Sequence, residues 1–152
     1  MDRPNSDDSP RPLRATSRSL PIALLRARER VMGPIRAMLA DAGVTEQQWR
    51  VLRVLDERGA VDATEIAHEA CLLMPSLTRI LGILGDKGLC TRRSHPTDRR
   101  RFLVEITGEG RALIAANIDE SNRIFARLEA EFGKDRLDVL LDLLGELTDQ
   151  RL

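Results

Sequence analysis

Apolar residues recur at helical spacing along most of this chain of 152 residues. The pattern predicts a long first helix over residues 19–42, ended by Gly43, with Pro34 inside it causing a bend or a break. It predicts a second helix over residues 45–58, because a threonine and a glutamine at its start have the spacing of a capping box. The first part of the chain is therefore expected to be helical.

A different pattern follows in the middle of the chain. Two short helices, over residues 62–70 and 74–84, are separated by a tight turn. Alternating segments at 90–94 and 102–106 predict a β-hairpin, and a short step at 60–61 predicts a small strand that joins it. Helix, turn, helix and hairpin in this order form a winged helix-turn-helix, which is a DNA-binding arrangement.

The last part of the chain predicts two more helices. Thr107 is placed to cap a helix that ends at Gly133, and a final helix covers residues 134–149. Leucine and valine occupy too much of the circumference of the final helix for one buried side. We expect a second subunit to cover this helix, which gives a homodimer built from the two ends of the chain.

The predicted fold is mainly α with a small β-hairpin, a winged helix-turn-helix dimerised through its N- and C-terminal helices. Residues 1–18 hold prolines and scattered charge with almost no apolar side chains, which predicts a disordered tail. Residues 19–44 and 107–152 are expected to form the helical dimerisation region. Residues 45–106 are expected to form the DNA-binding domain, within one integrated fold.

Charge is unevenly distributed on a chain whose formal net charge is zero. Residues 92–101 hold five arginines and one acid, whereas residues 119–152 hold nine acids and five bases. A basic patch on a neutral chain is typical of a protein that binds DNA through one surface. The sequence has no secretory signal and no apolar run long enough to span a membrane, so we expect a cytoplasmic protein.

Catalytic motifs are absent from the sequence: there is no nucleophile elbow, no phosphate-binding loop and no pair of carboxylates on an apolar face. An enzyme is not expected. The two cysteines lack the spacing of a metal site, and no metal or cofactor is expected. Cys71 is expected to fill the small core at the turn of the motif. A redox sensor that uses Cys71 or Cys90, and a DNA-binding protein that needs no ligand, are the alternatives.

Two surfaces of the motif are predicted to contact duplex DNA, the start of its second helix and the tip of the hairpin. The helix start is polar outside while leucine and isoleucine pack inward. Asp98 is expected to hold the guanidinium of Arg100 across a tight turn, so that Arg100 enters the minor groove while its two neighbours reach phosphates. The predicted DNA-contacting residues are Pro75, Ser76, Thr78, Arg79, Arg93, Asp98, Arg99, Arg100 and Arg101.

Three residues suggest a site for a small acid. Arg28 lies between Leu24 and Met32 on the apolar stripe of the first helix, where a guanidinium needs an anion. Its position fits either a structural ion pair with the dimer partner or a carboxylate ligand held by two hydrogen bonds. Trp49, the only tryptophan, is followed by Arg50 on the second helix, and this pair fits either a core tryptophan or the wall of an aromatic-acid site.

Residues 98–110 (DRRRFLVEITGEG) and the order of the elements resemble the MarR family of bacterial transcriptional regulators over about residues 19–149. Residues 22–29 (IALLRARE), 45–50 (TEQQWR) and 70–78 (ACLLMPSLT) are similar to the branch that represses homoprotocatechuate (hydroxyphenylacetate) degradation operons. The resemblance implies a homodimer on a pseudo-palindromic double-stranded operator, with recognition helices in major grooves and wings in minor grooves.

The resemblance also implies that repression of an aromatic-compound catabolic operon is relieved by a small aromatic carboxylic acid. Arylacetates such as hydroxyphenylacetate, homoprotocatechuate or indole-3-acetate are the expected class, bound between the dimerisation helices and the DNA-binding lobe. It assigns ligand contact to Arg28, Trp49 and Arg50, with Leu24 and Met32 beside them. Redox-sensing members of the family use a cysteine near the start of the first helix, and this chain has none there.

Overall fold

The computed structural model describes Leu13 and residues 15–151, in two compact units that divide between Met32 and Gly33. Most of the disordered tail expected at residues 1–18 lies outside the described residues. The fold is mainly α with a three-stranded antiparallel sheet, which confirms the predicted class. The elements are a 3-10 turn at Thr16–Arg18, α1 at Leu20–Ala42, α2 at Glu46–Arg58, β1 at Val61–Asp62, α3 at Ala63–Glu69, α4 at Met74–Asp86, β2 at Cys90–Ser94, β3 at Phe102–Ile106, α5 at Gly108–Phe132 and α6 at Lys134–Asp149.

Helix α1 runs without interruption through Pro34, so a break at this residue is wrong, while a bend there stays a prediction. A proline removes one helical hydrogen bond, and tertiary packing of the residues that follow outweighs that loss. Ile35, Met38 and Leu39 are buried in the second unit and hold this part of the helix in place. The helix ends as predicted at Gly43, whose φ of +73° is the left-handed conformation that suits glycine.

Helix α2 starts with the predicted capping box. The Thr45 hydroxyl accepts a hydrogen bond from the Gln48 N–H, and the Gln48 side chain accepts one from the Thr45 N–H, both at 3.2 Å. Val51, Leu52 and Leu55 are fully buried on the inner side of the helix. The box therefore fixes where α2 begins, and the apolar face fixes which side faces the core.

The turn between α3 and α4 differs from expectation at Cys71. This residue is exposed and adopts a φ of +52°, so the prediction that it fills a small core is wrong. Its N–H donates to the His68 carbonyl at 3.2 Å and the Leu72 N–H donates to the Ala67 carbonyl at 2.9 Å, which is a Schellman ending. The left-handed residue of that ending directs its side chain to solvent, and Ala70 fills the core instead.

Helices α3 and α4 are inclined at 105°, within the range of a helix-turn-helix. No single helix among the described residues is long and apolar enough to cross a membrane, although this bent pair passes the same test on length and composition.

The sheet has the strand order β1-β3-β2, with β3 in the centre. Val61 pairs with Val104, and Cys90 pairs with Ile106. The strands of the hairpin have the predicted bounds, while the small strand lies at Val61–Asp62, one residue later than predicted. Val104 is fully buried, so the sheet packs one face on the helices and leaves the hairpin tip outside.

A compact joint connects the end of α4 to the start of α5. The Thr107 hydroxyl donates to the Gly88 carbonyl at 2.7 Å and accepts from the Gly110 N–H at 3.1 Å. A Cβ on Gly110 would lie 2.6 Å from Ile106 Cγ1 and would also strike the Leu89 carbonyl, so only glycine fits there. Thr107 is thus the predicted cap of α5 and also a bridge to the recognition helix.

Helices α5 and α6 have the predicted bounds, and most of their apolar surface is uncovered. In the described chain α6 contains no buried residue. Large apolar side chains of α6 are between 39% and 58% exposed: Val139, Leu140, Leu141 and Leu143. Leu137, Leu144 and Leu147 are half-buried, so the described residues cover only part of the apolar surface of α6.

Candidate DNA interface and effector site

The start of α4 presents a polar surface above an apolar anchor. Pro75, Thr78 and Arg79 are exposed and Ser76 is half-buried, whereas Leu77 is fully buried on the opposite side. The Thr78 hydroxyl donates to the Met74 carbonyl at 3.0 Å, which leaves its lone pairs as acceptors. Among the described residues, the Arg79 guanidinium has no partner.

The hairpin, from here called the wing (residues 90–106), ends in a turn built by side-chain acceptors. His95 Nδ1 accepts from the N–H groups of Thr97 at 3.3 Å and Asp98 at 3.2 Å. Asp98 Oδ1 accepts from the Arg100 N–H at 3.0 Å. The expected contact between the Asp98 carboxylate and the Arg100 guanidinium is therefore wrong: Asp98 orders the backbone of the turn, as aspartate does in an Asx turn.

Two arginines of the wing strands are occupied by contacts within the wing. The Arg92 guanidinium lies 4.8 Å from the centre of the Phe102 ring. Arg93 Nε lies 3.7 Å from Glu105 Oε2 on the paired strand. Both side chains are exposed, so these contacts orient them on the wing surface without excluding a role in DNA binding.

The arginines at the wing tip divide into one that is paired and two that are not. The Arg101 guanidinium forms an ion pair with the Asp62 carboxylate at the end of β1. In the described part of the chain, Arg99 and Arg100 have exposed guanidinium groups without a partner. The positive charge available at the tip is therefore concentrated on Arg99 and Arg100. Sequence reasoning missed Asp62, because nothing in local spacing signals a contact between β1 and the tip.

Helix α2 carries the candidate effector residues of the second unit. Trp49 and Arg50 are both half-buried, and the Arg50 Nε atom is buried without a hydrogen-bond partner among the described residues. A buried donor without an acceptor costs free energy, so this N–H is suited to donate to an acceptor atom of a bound molecule. Arg53, not singled out from the sequence, lies one helical turn from Trp49 and pairs with Glu57 at 2.6 Å. The i, i+4 spacing from Trp49 was the available signal.

The candidate residues of the first unit lie on α1. The Arg28 side chain is 44% exposed, with Nη1 3.4 Å from Glu29 Oε1. Leu24 is 40% exposed and Met32 is half-buried. A role in ligand binding stays a prediction for these three residues.

The cysteines have contrasting environments. Burial raises the pKa of the Cys90 thiol, and the positive charge of Arg92 opposes this effect only in part. Cys90 is therefore a poor thiolate nucleophile, whereas Cys71 is exposed at the motif turn. No group of three or more metal-ligating side chains occurs within the residues that the structure describes.

Comparison with known proteins places this geometry in a family. Residues 44–102 match the MarR family. The homoprotocatechuate degradative operon repressor of Escherichia coli is 38% identical over 84% of this chain and 86% of its own length. The fold resembles that of NadR in complex with 4-hydroxyphenylacetate, with 36% identity, a TM-score of 0.80 and coverage of 92% of this chain and 99% of that one.

CouR resembles the chain in two solved states. The structure bound to a 23-mer DNA duplex has 34% identity and a TM-score of 0.79 and covers 87% of this chain and 94% of that one. The structure bound to p-coumaroyl-CoA has 31% identity and a TM-score of 0.78 and covers 90% and 96%. The chain belongs to the MarR family, and it is a transcriptional repressor with a DNA-binding winged helix, not an enzyme.

Proposed function

We propose that this chain is a homodimeric repressor of an aromatic-compound catabolic operon and that a small aromatic acid relieves its binding to DNA. The observation that carries the proposal is a winged helix-turn-helix with an exposed start of α4 and, at its wing tip, two guanidinium groups, Arg99 and Arg100, that have no partner among the described residues. A helix start suits a major groove, and an arginine at a hairpin tip suits the adjacent minor groove. CouR, of similar fold, has been solved on a DNA duplex.

The homodimer is proposed from the uncovered apolar surface of α6. Exposed apolar faces of this extent mark protein interfaces. Two DNA-binding lobes in a symmetric dimer meet half-sites about one helical turn apart, roughly 34 Å. A symmetric dimer would bind a pseudo-palindromic operator. We also propose a cytoplasmic location, since a repressor must reach the bacterial DNA.

An aromatic acid is proposed as the effector on two grounds. One relative is named as the repressor of a homoprotocatechuate operon, and NadR has been solved with 4-hydroxyphenylacetate. Arg50 Nε, which has no partner among the described residues, also suits a carboxylate, and Trp49 precedes it on α2. We include Arg28, Leu24 and Met32 among the proposed effector contacts because the sequence resemblance implies them. CouR with p-coumaroyl-CoA makes an aryl thioester the second candidate.

The effector acts by binding the two states of the dimer with different affinity. If it binds best when the lobes are not one DNA turn apart, it lowers DNA affinity by the ratio of its affinities for the two states. A ligand that binds both states equally would leave repression unchanged.

DNA binding is tested first with a duplex selected by the protein from a random library. Arg100→Ala should weaken binding about tenfold and lower the slope of log Kd against log salt by about one per subunit. Arg151→Ala removes the same charge at the exposed C-terminal end and serves as the control. Equal effects of the two variants on affinity and salt slope would show that the wing does not contact DNA.

The effector is tested through the fluorescence of Trp49, which reports one place in each subunit because it is the only tryptophan. Saturable quenching is expected with 4-hydroxyphenylacetate, homoprotocatechuate or indole-3-acetate, together with release of the selected duplex. Arg50→Ala should raise the Kd of the acid in this titration. Arg28→Ala and Arg53→Ala test whether either of these arginines also binds the carboxylate. Quenching by p-coumaroyl-CoA alone would replace the free acid by the thioester.

The alternatives predict different results in the same assays. A redox sensor would lose DNA binding on peroxide treatment, and Cys71→Ser would abolish that loss. A repressor without a ligand would give a flat response to every acid and thioester. Either result would contradict the proposed effector while leaving DNA binding intact.

A further inference from the structure

Each carboxylate oxygen of Asp62 contacts a different part of the winged helix-turn-helix. Its Oδ1 accepts a hydrogen bond from the Glu65 N–H at 2.9 Å and so caps α3. Its Oδ2 forms the ion pair with the Arg101 guanidinium. The Asp62 side chain is 17% exposed and the Arg101 side chain is 51% exposed, so the pair is shielded from solvent mainly at its acid.

The backbone around Arg101 closes the wing turn. The Arg101 N–H donates to the Asp98 carbonyl at 3.1 Å, and the Arg101 carbonyl accepts from the His95 N–H at 3.2 Å. The residue that Asp62 holds through its side chain is therefore the residue that the turn holds through its backbone. Moving Arg101 would displace the whole segment 95–101.

The ion pair connects two surfaces that must reach neighbouring grooves. Asp62 pairs with Leu103 on the central strand and stands at the N-terminus of α3, the helix that leads into the recognition helix α4. Arg100, the neighbour of Arg101, has an unpartnered guanidinium within the described chain. A fixed Arg101 thus sets where Arg100 points relative to the helix-turn-helix.

We propose that Asp62 and Arg101 are a positioning pair that fixes the wing tip for DNA binding, and that Arg101 acts through Asp62 and not through a phosphate. The proposal rests on operator binding by the winged helix and goes beyond it, because it assigns a role to an acid in a DNA-binding surface. It also gives the tip arginines different roles, since Arg99 and Arg100 meet DNA while Arg101 holds the tip in place.

Arg101 could bind a phosphate or could position the wing through Asp62, and the two roles predict different changes in DNA affinity for Asp62→Asn. Asparagine caps a helix as well as aspartate does, so α3 keeps its cap while the charge opposite Arg101 is lost. If Arg101 bound a phosphate, removing a nearby negative charge would leave DNA affinity unchanged or raise it. The positioning pair predicts a loss of about fivefold, which corresponds to about 1 kcal/mol.

The experiment measures affinity and salt slope on the selected duplex for Asp62→Asn, Arg101→Ala and the double variant. We expect each single variant to weaken binding, the double variant to weaken it no further, and the salt slope to stay that of the wild type. Glu65→Gln is the matched control, since it removes an exposed acid from the same helix and should not weaken binding. Tighter binding of Asp62→Asn, with a slope lowered by about one per subunit in Arg101→Ala, would overturn the proposal.

A measurement without DNA keeps the pair testable by itself. Amide hydrogen exchange of residues 95–101 should be faster in Asp62→Asn and unchanged in Glu65→Gln. Unchanged exchange in both variants would overturn the positioning role even where affinity falls. If the wild-type protein selects no duplex at all, the proposed function fails, and hydrogen exchange still decides whether Asp62 holds the wing.

Discussion

The winged helix-turn-helix and the terminal helix α6 have similar apolar content along the chain but opposite outcomes in the structure. In α4 the apolar residues at the inner face, such as Leu77 and Leu84, are fully buried. In α6 comparable residues, such as Leu141 and Leu143, are more than half exposed. Helical spacing of apolar residues thus shows that a face needs cover, but it does not show whether the cover comes from the same chain.

The largest effect is expected when a charge is placed on the exposed apolar face of α6. Leu143→Asp places a carboxylate on the face that we propose to be covered by a partner subunit, where burying an unpaired charge costs about 3 kcal/mol or more. Sedimentation equilibrium should then show a monomer where the wild type shows a dimer. Asp142→Asn, at the neighbouring exposed position, should keep the dimer. An unchanged mass for Leu143→Asp would show that this face is not the interface.

The next effect tests the joint between the winged helix-turn-helix and the start of α5. Gly110→Ala should lower the free energy of unfolding by about 3 kcal/mol, because its methyl group would strike the Leu89 carbonyl and Ile106. Gly108→Ala lies two residues earlier in α5 and has no atom within 4 Å of its added Cβ. It should be neutral or stabilising by up to about 1 kcal/mol in urea unfolding. Equal values for the two variants would mean that the joint can relax.

The smallest effect is expected at the turn between α3 and α4, where Cys71 has a positive φ. Cys71→Gly should stabilise the protein by about 1 kcal/mol, because glycine adopts the left-handed conformation without steric cost. Gly43→Ala, at a helix ending of the same hydrogen-bond type, should destabilise it by a similar amount. The Tm of each variant in thermal unfolding shows whether the substitution stabilises or destabilises the protein. A destabilising Cys71→Gly would show that the cysteine side chain contributes contacts of its own.

Local signals in the sequence are sufficient to predict most of the fold. The capping box of Thr45 with Gln48, the glycine endings and the alternation of the wing strands each involve residues close in sequence, so the element bounds follow directly. The break expected at Pro34 is wrong because packing of the following residues outweighs the missing hydrogen bond, and local sequence does not contain that packing.

The site is less predictable, because its contacts depend on tertiary placement. The polar start of α4 and the basic wing tip follow from sequence, whereas the sequence left open whether Trp49 lies in the core or lines a site. The contact of Asp62 with Arg101 joins residues far apart in sequence, and the backbone target of Asp98 depends on the shape of the turn. Spacing along a helix or strand contains neither kind of information.

The hydroxyl of Thr107 links the backbone that follows the recognition helix to the start of α5. It donates to the Gly88 carbonyl, two residues past the end of α4, and accepts from the Gly110 N–H in the first turn of α5. Because one side-chain atom makes both bonds, a displacement of the start of α5 is passed directly to the backbone that follows α4. The fold thus contains a mechanical path from α5 to the helix-turn-helix that bypasses the strands of the wing.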